Sequence, residues 1–343
     1  MTDPTTREWA ALYQAAIEFH RTAPWQWMHD TDLFAVENPA DRTAGYCCVL
    51  GAVGEAFGFA MYLGAEGFEY YTSLVAGEAD PESFEGNVST PSLSVMFVDR
   101  GVLRKEDHEV IRSLGLRFRG RNAWPVFSSQ RPGYAPWFLE KEEAAFLTVA
   151  IQQGLVVATE MQKNGGFLLG KTDDDVFTRR CVGGEWTDAW CKAQEAPAPP
   201  RAAGVATGGL SKAIQRLAGR TDDRAGTWEL DVFPMELPVA EGKERPYYPV
   251  CFLAVEKESR FIVGTSVTEP WISTAEWQAR IVHMLDTSVL QLPSQIWVRS
   301  EGMRGALAPI ASALGIDIKV GALKTLNRVK ADMLRHLLDR GMQ

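Results

Sequence analysis

The fold of the second half of the chain is decided by TWELDVFP (227–234) and YYPVCFLAVEKESRFIVGTSV (247–267). Both segments are rich in apolar, β-branched and aromatic residues, which favour extended structure. They predict strands over 227–233, 249–255 and 260–267, with a tight connection between the last two. Strands joined by so short a connection pair antiparallel, so this stretch predicts the antiparallel part of a sheet.

From this stretch to the end of the chain, helical and extended patterns alternate. The predicted elements are a helix over Thr274–Leu285, a strand over Ser294–Val298, a helix over 303–314, a strand over Ile316–Val320 and a helix over Leu323–Leu338. Three antiparallel strands followed by alternating helices and strands form a mixed sheet covered by helices. We therefore predict an α/β domain of order βββαβαβα over residues 210–343.

The first half of the chain mixes short strands with helices, which is typical of an α+β domain. Its clearest helices are an amphipathic one over 7–21 and a long one over Leu139–Lys163. A hairpin is predicted across Lys171–Asp175. The segment AQEAPAPPRAAGVATGG (193–209) lacks large apolar residues and predicts a linker after a first domain of residues 1–192.

Composition indicates a globular protein with two domains of unlike charge. The 343 residues are 46% hydrophobic and 23% charged, with a net charge of -9. Residues 1–208 carry 18 basic and 28 acidic side chains, whereas residues 209–343 carry 17 and 16. An acidic first domain argues against wrapping nucleic acid with the whole molecule, because phosphate binding needs a basic surface.

The expected compartment follows from the cysteines and the apolar runs. No apolar run approaches the ~18 residues of a membrane span, and the N-terminus lacks the basic region of a signal peptide. The cysteines Cys47, Cys48, Cys181, Cys191 and Cys251 are scattered without CxxC spacing. Reduced thiols are therefore expected, without a disulfide framework or zinc site, in a cytoplasmic protein that makes no membrane contact.

Three motifs in the second domain carry a resemblance to a family of enzymes. WELD (228–231) looks like the Trp-x-x-Asp opening of bacterial transposase catalytic domains. VEKESRFIVG (255–264) is similar to their Asp-x-x-Ser-Arg-x-Ile-Val-Gly hairpin, with Glu256 in place of the acid, and SEG (300–302) lies where they carry Ser-Asp-Gly. Together with the element order, the motifs resemble the ribonuclease H-like fold of nucleases, transposases and integrases.

The resemblance implies Asp231 and Glu301 as two strand-borne metal ligands. It places a third acid on the final helix, where the candidates are Asp332 and Asp339. In such sites two Mg²⁺ or Mn²⁺ ions about 4 Å apart polarise a phosphate and activate water, and hard oxygen ligands converge to hold them. The chain departs from the family pattern at Glu301, whose carboxylate lies one methylene farther from the backbone than that of an aspartate.

The residue pattern also offers a structural alternative for these acids. Glu229 and Asp231 alternate with apolar neighbours, as the solvated face of an edge strand would. Asp332 lies opposite the apolar face of its predicted helix, where Arg328 and Arg335 are within one turn. In this interpretation the acids are surface groups and Asp332 pairs with an arginine.

One basic stretch interrupts the acidic first domain. In LRFRGRNAWPVFSSQRPGYAPW (116–137), Arg117, Arg119, Arg121 and Arg131 are interleaved with aromatic residues. Basic residues that alternate with aromatics can bind anions or stack on nucleic-acid bases. Alternatively, the stretch is a half-exposed strand whose arginines pair with the carboxylates of this domain.

An aromatic-rich segment near the start of the chain is open to two interpretations. The residues concerned are Trp25, Trp27, Tyr46, Tyr62, Tyr70 and Tyr71. They could line an aromatic ligand pocket or form a β-rich core. The core is the interpretation that we favour, because large aromatic residues are usually buried.

Over the whole chain, the Gly/Trp/Pro pattern resembles a recurring bacterial pair of domains of unknown function. It is carried by WQWM (25–28) with YCCVLGAVGEAFGFAMYLGAEG (46–67), by RFRGRNAWPVFSSQRPGYAPW (117–137), and by WELDVFP with RPYYPV (228–250). The resemblance implies two domains in the bacterial cytoplasm without an assigned activity.

Three hypotheses follow from these observations. The first is a non-catalytic binding or regulatory protein, without a cofactor and with a protein among its candidate partners, on a degenerate ribonuclease H-like scaffold. The second is a metal-dependent phosphodiesterase or nuclease that uses Asp231 and Glu301 with Mg²⁺ or Mn²⁺. The third is anion or nucleic-acid binding through the Arg117–Arg131 stretch.

Overall fold

In a computed structural model, the chain forms two compact units, Met1–Pro197 and Ala198–Gln343, which divide within the predicted linker. The structure describes residues 2–80, 83–170, 175–193, 208–219, 224, 226–240, 242, 244–288 and 291–341, with the backbone alone for 208–211 and 337–341. Residues 194–207 of the predicted linker therefore lie outside the described residues.

The first domain is built on a seven-stranded sheet with strand order β5-β4-β3-β2-β1-β6-β7. The strands are β1 (Phe34–Glu37), β2 (Ala44–Leu50), β3 (Phe57–Leu63), β4 (Ser92–Val98), β5 (Trp124–Gln130), β6 (Asp175–Val182) and β7 (Glu185–Lys192). The helices are α1 (Thr6–Thr22), α2 (Gly64–Val75), α3 (Phe84–Ser89), α4 (Lys105–Ser113) and α5 (Lys141–Lys163). The pair β1–β6 is parallel and the other pairs are antiparallel, so this sheet is mixed.

The core of this domain lies on one face of the sheet, against α1 and α5. Strand β4 shows why: Leu93, Val95 and Phe97 are buried in this core, whereas the alternate residues Ser92 and Met96 point to the opposite face. By length and hydropathy α5 is the one described helix that could cross a membrane, but 61% of its most apolar window is buried. It packs as the core helix of a globular domain does.

The hairpin predicted across Lys171–Asp175 is wrong. The hairpin is formed by β6 and β7, and its turn is Gly183–Gly184. Both glycines have positive φ, 62° and 90°, which a two-residue turn between twisted strands requires. Residues 171–174 of the predicted turn lie outside the described residues.

The second domain contains a five-stranded sheet with strand order β10-β9-β8-β11-β12. The strands are β8 (Thr227–Pro234), β9 (Val250–Glu256), β10 (Ile262–Thr268), β11 (Gln295–Val298) and β12 (Asp317–Val320). The helices are α6 (Gly208–Ala218), α7 (Thr274–Thr287), α8 (Glu301–Leu314) and α9 (Lys324–Gly341). Strands β8–β10 pair antiparallel, whereas β8–β11 and β11–β12 pair parallel. The mixed α/β class is confirmed.

Helices cover both faces of this second sheet. Trp228 and Leu230 of β8 pack with residues of α6, α7 and α8. Phe233 of β8 packs with Leu326 of α9 on the other face. Because side chains alternate along a strand, the residues between Trp228, Leu230 and Val232 face α9. Those residues are the acids of WELD.

Candidate functional site

Asp231 is a buried carboxylate on the central strand of the second sheet. Its side chain is 2% exposed, and it forms an ion pair with Arg299, which follows β11. The Nε atom of Arg299 donates to Asp231 Oδ2 over 3.0 Å, and a second nitrogen of the guanidinium donates to the same oxygen. Arg299 also donates to Asn327 Oδ1 of α9 over 3.0 Å. The guanidinium therefore joins the central strand to α9.

Glu229 is equally buried and has a different partner. Its Oε2 accepts a hydrogen bond of 2.7 Å from the backbone nitrogen of Leu326, in the first turn of α9. The first backbone N–H groups of a helix lack partners within the helix, and a carboxylate there is favoured by the helix dipole. The solvated edge strand offered as an alternative for Glu229 and Asp231 is wrong, because β8 is central and both carboxylates are internal.

Glu301 lies in a different environment from Asp231. It is the first residue of α8, its side chain is 66% exposed, and it pairs with Arg304 over 2.5 Å, three residues along the same helix. Ser300 caps that helix by accepting from the nitrogen of Met303 over 3.3 Å. Asp231 and Glu301, the two predicted metal ligands, therefore pair with different arginines.

The remaining acids of the resemblance also have local partners. Asp332 is 63% exposed and pairs with Arg335 over 2.6 Å, which confirms the pairing expected for a solvated helix face. Oε2 of Glu256 accepts from the backbone and hydroxyl of Ser259 and from the nitrogen of Glu258. Burial opposes ionisation of Glu256, but these hydrogen bonds prevail and hold its pKa below the ordinary value. The side chain of Asp339 lies outside the described residues.

Within the described part of the chain, no group of three His, Cys, Asp or Glu side chains could hold a metal ion. The buried acids bind an arginine and a helix terminus, and the exposed ones bind arginines or a turn. Arg299 is the residue that sequence reasoning missed. No pattern in the sequence indicates this role; it follows from the parallel register, in which Trp297 lies beside Glu229, so that Arg299, two residues further along, lies beside Asp231.

In the basic stretch of the first domain, Arg131 forms ion pairs, whereas the arginines before it are exposed on a loop. Arg131 pairs with Glu140 over 2.7 Å and with Glu143 over 2.8 Å at the start of α5, and hydrogen bonding to Glu140 and then Glu143 raises the pKa of its guanidinium. Arg131 is therefore structural. Arg117 and Arg119 are exposed, as is Arg121.

Arg117, Arg119 and Arg121 make no hydrogen bond or ion pair with the described residues. They lie on a loop before β5, so the half-exposed strand predicted around them is wrong. The aromatic ring of Phe118 between them packs inward on Trp124 and Tyr13. The loop presents positive charge to solvent and keeps its aromatic surface inside.

The aromatic residues near the start of the chain also divide. Trp25 packs against the main core, and Tyr46 lies in a smaller buried cluster. Tyr62, Tyr70 and Tyr71, in contrast, line two cavities on the sheet face opposite that core. The core interpretation that we favoured holds for Trp25, Trp27, Tyr46 and Tyr71, because Tyr71 is also buried in a small cluster with Cys48 and Ala60. Tyr62 and Tyr70 are only partly buried and form the wall of a cavity.

Both domains match family models. Residues 9–179 match a domain of unknown function (DUF7309), and residues 213–334 match a second domain of unknown function (DUF6930). The chain is therefore a two-domain α/β protein. It belongs to these two domain families, as the resemblance of its Gly/Trp/Pro pattern implied.

One solved structure with local similarity is the HTLV-2 integrase catalytic core domain in complex with magnesium, in a dimeric form. It is 15% identical, with a TM-score of 0.25, and the match covers 34% of this chain and 73% of that one. None of the curated proteins compared with the chain matches it.

Proposed function

We propose that the chain is a non-catalytic binding or regulatory protein of the bacterial cytoplasm, and that its second domain is a degenerate ribonuclease H-like scaffold. The observation that carries this proposal is the pairing of Asp231 with Arg299. A guanidinium supplies positive charge at the strand-borne carboxylate where a metal-dependent enzyme would hold its cation.

The element order of the second domain supports the scaffold part of the proposal. Three antiparallel strands are followed by α7, β11, α8, β12 and α9, with β8 at the centre of the sheet. This is the order on which the resemblance to the ribonuclease H-like fold rests. Asp231 also occupies the first strand, as the resemblance implies.

The partners of Asp231 and Glu301 support the proposal that the second domain is not catalytic. Two-metal catalysis needs carboxylates that converge on one spot and remain open to hard cations. Asp231 is almost fully buried and bound to Arg299, whereas Glu301 is exposed and bound to Arg304. Binding a divalent ion between them would require both arginines to be displaced.

A cleavage assay tests the proposal. Purified full-length protein is incubated with single- and double-stranded DNA and RNA oligonucleotides in Mg²⁺ or Mn²⁺, and we expect no cleavage above a protein-free control. The metal-dependent phosphodiesterase would be favoured instead by cleavage that Asp231→Asn abolishes. Asp317→Asn is the matched control, because it removes an exposed acid of the same domain that pairs with Lys319 and is not among the proposed metal ligands.

The three exposed arginines support a second candidate, anion or nucleic-acid binding. Arg117, Arg119 and Arg121 lie within five residues of one another on one loop, without partners among the described residues. Because Phe118 packs inward, the loop offers charge without a base-stacking platform. We expect sequence-independent contact with phosphate groups.

Fluorescence anisotropy with a single-stranded oligonucleotide tests this candidate. The logarithm of the binding constant should fall with the logarithm of salt concentration, by about 0.7 per phosphate contacted. Replacing Arg117, Arg119 and Arg121 together by Gln should reduce that slope by about 2. Replacement of the exposed Arg7 and Arg112 by Gln is the control, and an equal loss per arginine removed in the two sets would contradict a site on this loop.

A further inference from the structure

The outer face of the first sheet carries two adjoining cavities beneath α2. One has a volume of about 440 Å³ and extends over β3 and β4 towards α3. The other, of about 420 Å³, extends over β2. They share Leu50, Tyr62 and Leu74 as lining residues. Each falls within the range of roughly 300–1,000 Å³ that is typical of small-molecule sites.

Strand register explains why the cavities form there. Cys48 lies beside Ala60, and Ala60 lies beside Ser94, so one row across β2, β3 and β4 consists of small side chains. The neighbouring row contains Tyr62, which stands at the side of this low floor. Helix α2 covers part of the face and approaches β3 closely at Gly67, where a Cβ would lie 2.7 Å from the carbonyl carbon of Tyr62.

Two aromatic walls of the cavities are fixed by hydrogen bonds. The Tyr70 hydroxyl donates to Asn87 Oδ1 over 3.0 Å, and the Tyr71 hydroxyl donates to the carbonyl oxygen of Asp30 over 2.9 Å. Tyr70 lines the larger cavity and Tyr71 the smaller one. A fixed aromatic ring beside a floor of small residues favours a flat occupant, because stacking and edge contacts need no rearrangement of the protein.

Three hydroxyls in the larger cavity make no hydrogen bond to any described residue: those of Tyr62, Ser92 and Ser94. Burial, with smaller effects of Cys48, Tyr70 and Asp30, raises the pKa of the Tyr62 hydroxyl, so it stays protonated. A hydroxyl can both donate and accept. An occupant with one or two polar groups would therefore find partners in an otherwise apolar site.

Charge restricts the occupant further. Neither cavity has a lysine or arginine among its described lining residues, and Asp30 lines the smaller one. Burial, and then the negative charge of Asp30, raises the pKa of the Cys48 thiol to about 12. The site is thus unfavourable for an anion, since a buried charge without a partner is strongly disfavoured.

We propose that this face of the first domain binds a flat, mainly apolar small molecule that is neutral or positively charged and carries one or two hydrogen-bonding groups. In the larger cavity Tyr70 and Tyr62 hold its sides, Ala60 and Ser94 form the floor, and the Tyr62 hydroxyl is its polar contact. This inference rests on the proposed binding role and assigns that role to a ligand class.

A matched pair of fluorescent probes tests the ligand class on the full-length protein. N-phenylnaphthylamine is neutral and flat and has one N–H group, and anilinonaphthalene sulfonate adds a negative charge to the same rings. We expect the neutral probe to bind with increased fluorescence and at least about tenfold more tightly than the sulfonate. Equal or stronger binding of the sulfonate would overturn the proposed charge preference.

Variants locate the probe. Ser94→Leu fills the floor and should weaken binding of the neutral probe more than tenfold, whereas Tyr62→Phe removes one hydrogen bond and should weaken it about fivefold. Thr187→Leu adds the same side chain on exposed β7, outside both cavities, and should leave binding unchanged. A cooperative thermal transition for each variant verifies that it is folded.

Besides equal or stronger binding of the sulfonate, two results would overturn the inference: no binding of the neutral probe, or binding that Ser94→Leu and Tyr62→Phe leave intact in folded protein. Neither result would bear on the cleavage assay of the second domain. Conversely, metal-dependent cleavage that requires Asp231 would reject the non-catalytic proposal while the probe measurements still report on this face. Failure of the inference and failure of the proposed function are therefore distinguishable.

Discussion

The central strand of the second sheet and the outer face of the first sheet both carry polar side chains between apolar ones. On the central strand, Glu229 and Asp231 are buried and each has a partner in another element. On the outer face, Tyr62, Ser92 and Ser94 have hydroxyls without hydrogen bonds to the described residues. Coverage by helices accounts for the difference, because both faces of the second sheet are covered.

The comparison separates structural polar groups from groups that remain available to a ligand. A buried polar atom must find a partner within the protein, so its presence reports on folding. A polar atom that faces a cavity can form a hydrogen bond to a ligand in place of water, so it is available for binding. Substitutions of the first kind should change stability, and substitutions of the second kind should change affinity.

Removal of Arg299 is expected to have the largest effect on stability. Arg299→Ala leaves the carboxylate of Asp231 buried without its cation, and we expect a loss of about 2–3 kcal/mol. The estimate lies below the roughly 3–5 kcal/mol typical of a broken buried pair because Arg299 is itself 42% exposed. Urea unfolding of the full chain, with amide exchange of β8 to localise the effect, measures it.

Arg304→Ala is the matched control, since it breaks an arginine–carboxylate pair that is exposed on both sides. Exposed pairs contribute about 0–1 kcal/mol, so this variant should remain close to the parent protein. An equal loss in the two variants would show that burial of Asp231 is not what makes its pair important.

Glu229 provides the second prediction. Glu229→Ala removes the acceptor for the nitrogen of Leu326 and leaves a gap beneath α9, so we expect a loss of about 2 kcal/mol. Glu229→Gln keeps an acceptor oxygen and should recover about half of that loss. Denaturant unfolding measures both, and a larger loss for Gln than for Ala would contradict a capping role.

The element types of the second domain could be predicted because its strands and helices have strong local patterns. The roles of Glu229 and Asp231 could not, because alternation of acidic and apolar residues looks the same in an exposed edge strand and in a covered central strand. Their partners lie 97 and 68 residues away in the chain, so only the folded sheet brings them together.

In the first domain, the feature that could not be predicted from the sequence was the register between neighbouring strands. The tyrosines were recognisable as either core or pocket, but the choice depends on strand register, which places small Ala60 beside small Ser94. Register between β3 and β4 is set across the intervening α2 and α3, and no local pattern reports it. The hairpin error has a local cause, since Gly183–Gly184 was the better turn signal than the acidic run before it.

Tyr71 and Tyr62 both line the smaller cavity, and they allow a bonded hydroxyl and one unbonded among the described residues to be compared within one site. Tyr71→Phe removes a hydrogen bond to the carbonyl oxygen of Asp30 and should cost about 1 kcal/mol of stability. Tyr62→Phe removes a hydroxyl without a partner among the described residues and should leave stability within about 0.5 kcal/mol. Thermal unfolding of the two variants side by side measures the contrast, and its absence would mean that Tyr62 has a structural partner.

The smallest effect is expected at Glu256, the last residue of β9, whose side chain accepts hydrogen bonds from the turn that leads to β10. Its folded pKa is depressed, because hydrogen bonds from Ser259 and Glu258 outweigh its burial. Its contribution is therefore present above the unfolded pKa of about 4.3 and is lost as pH falls through the folded value. Exposure to solvent limits that contribution to about 0.5 kcal/mol.

Glu256→Gln should consequently be less stable than the parent protein at pH 7, and the two stabilities should converge as the pH is lowered below about 4. Urea unfolding at a series of pH values measures the difference, with the exposed neighbour Glu258→Gln as the control. A difference that grew on acidification would mean that the carboxylate is disfavoured in the folded turn. The hydrogen bonds from Ser259 would then not be the dominant influence on Glu256.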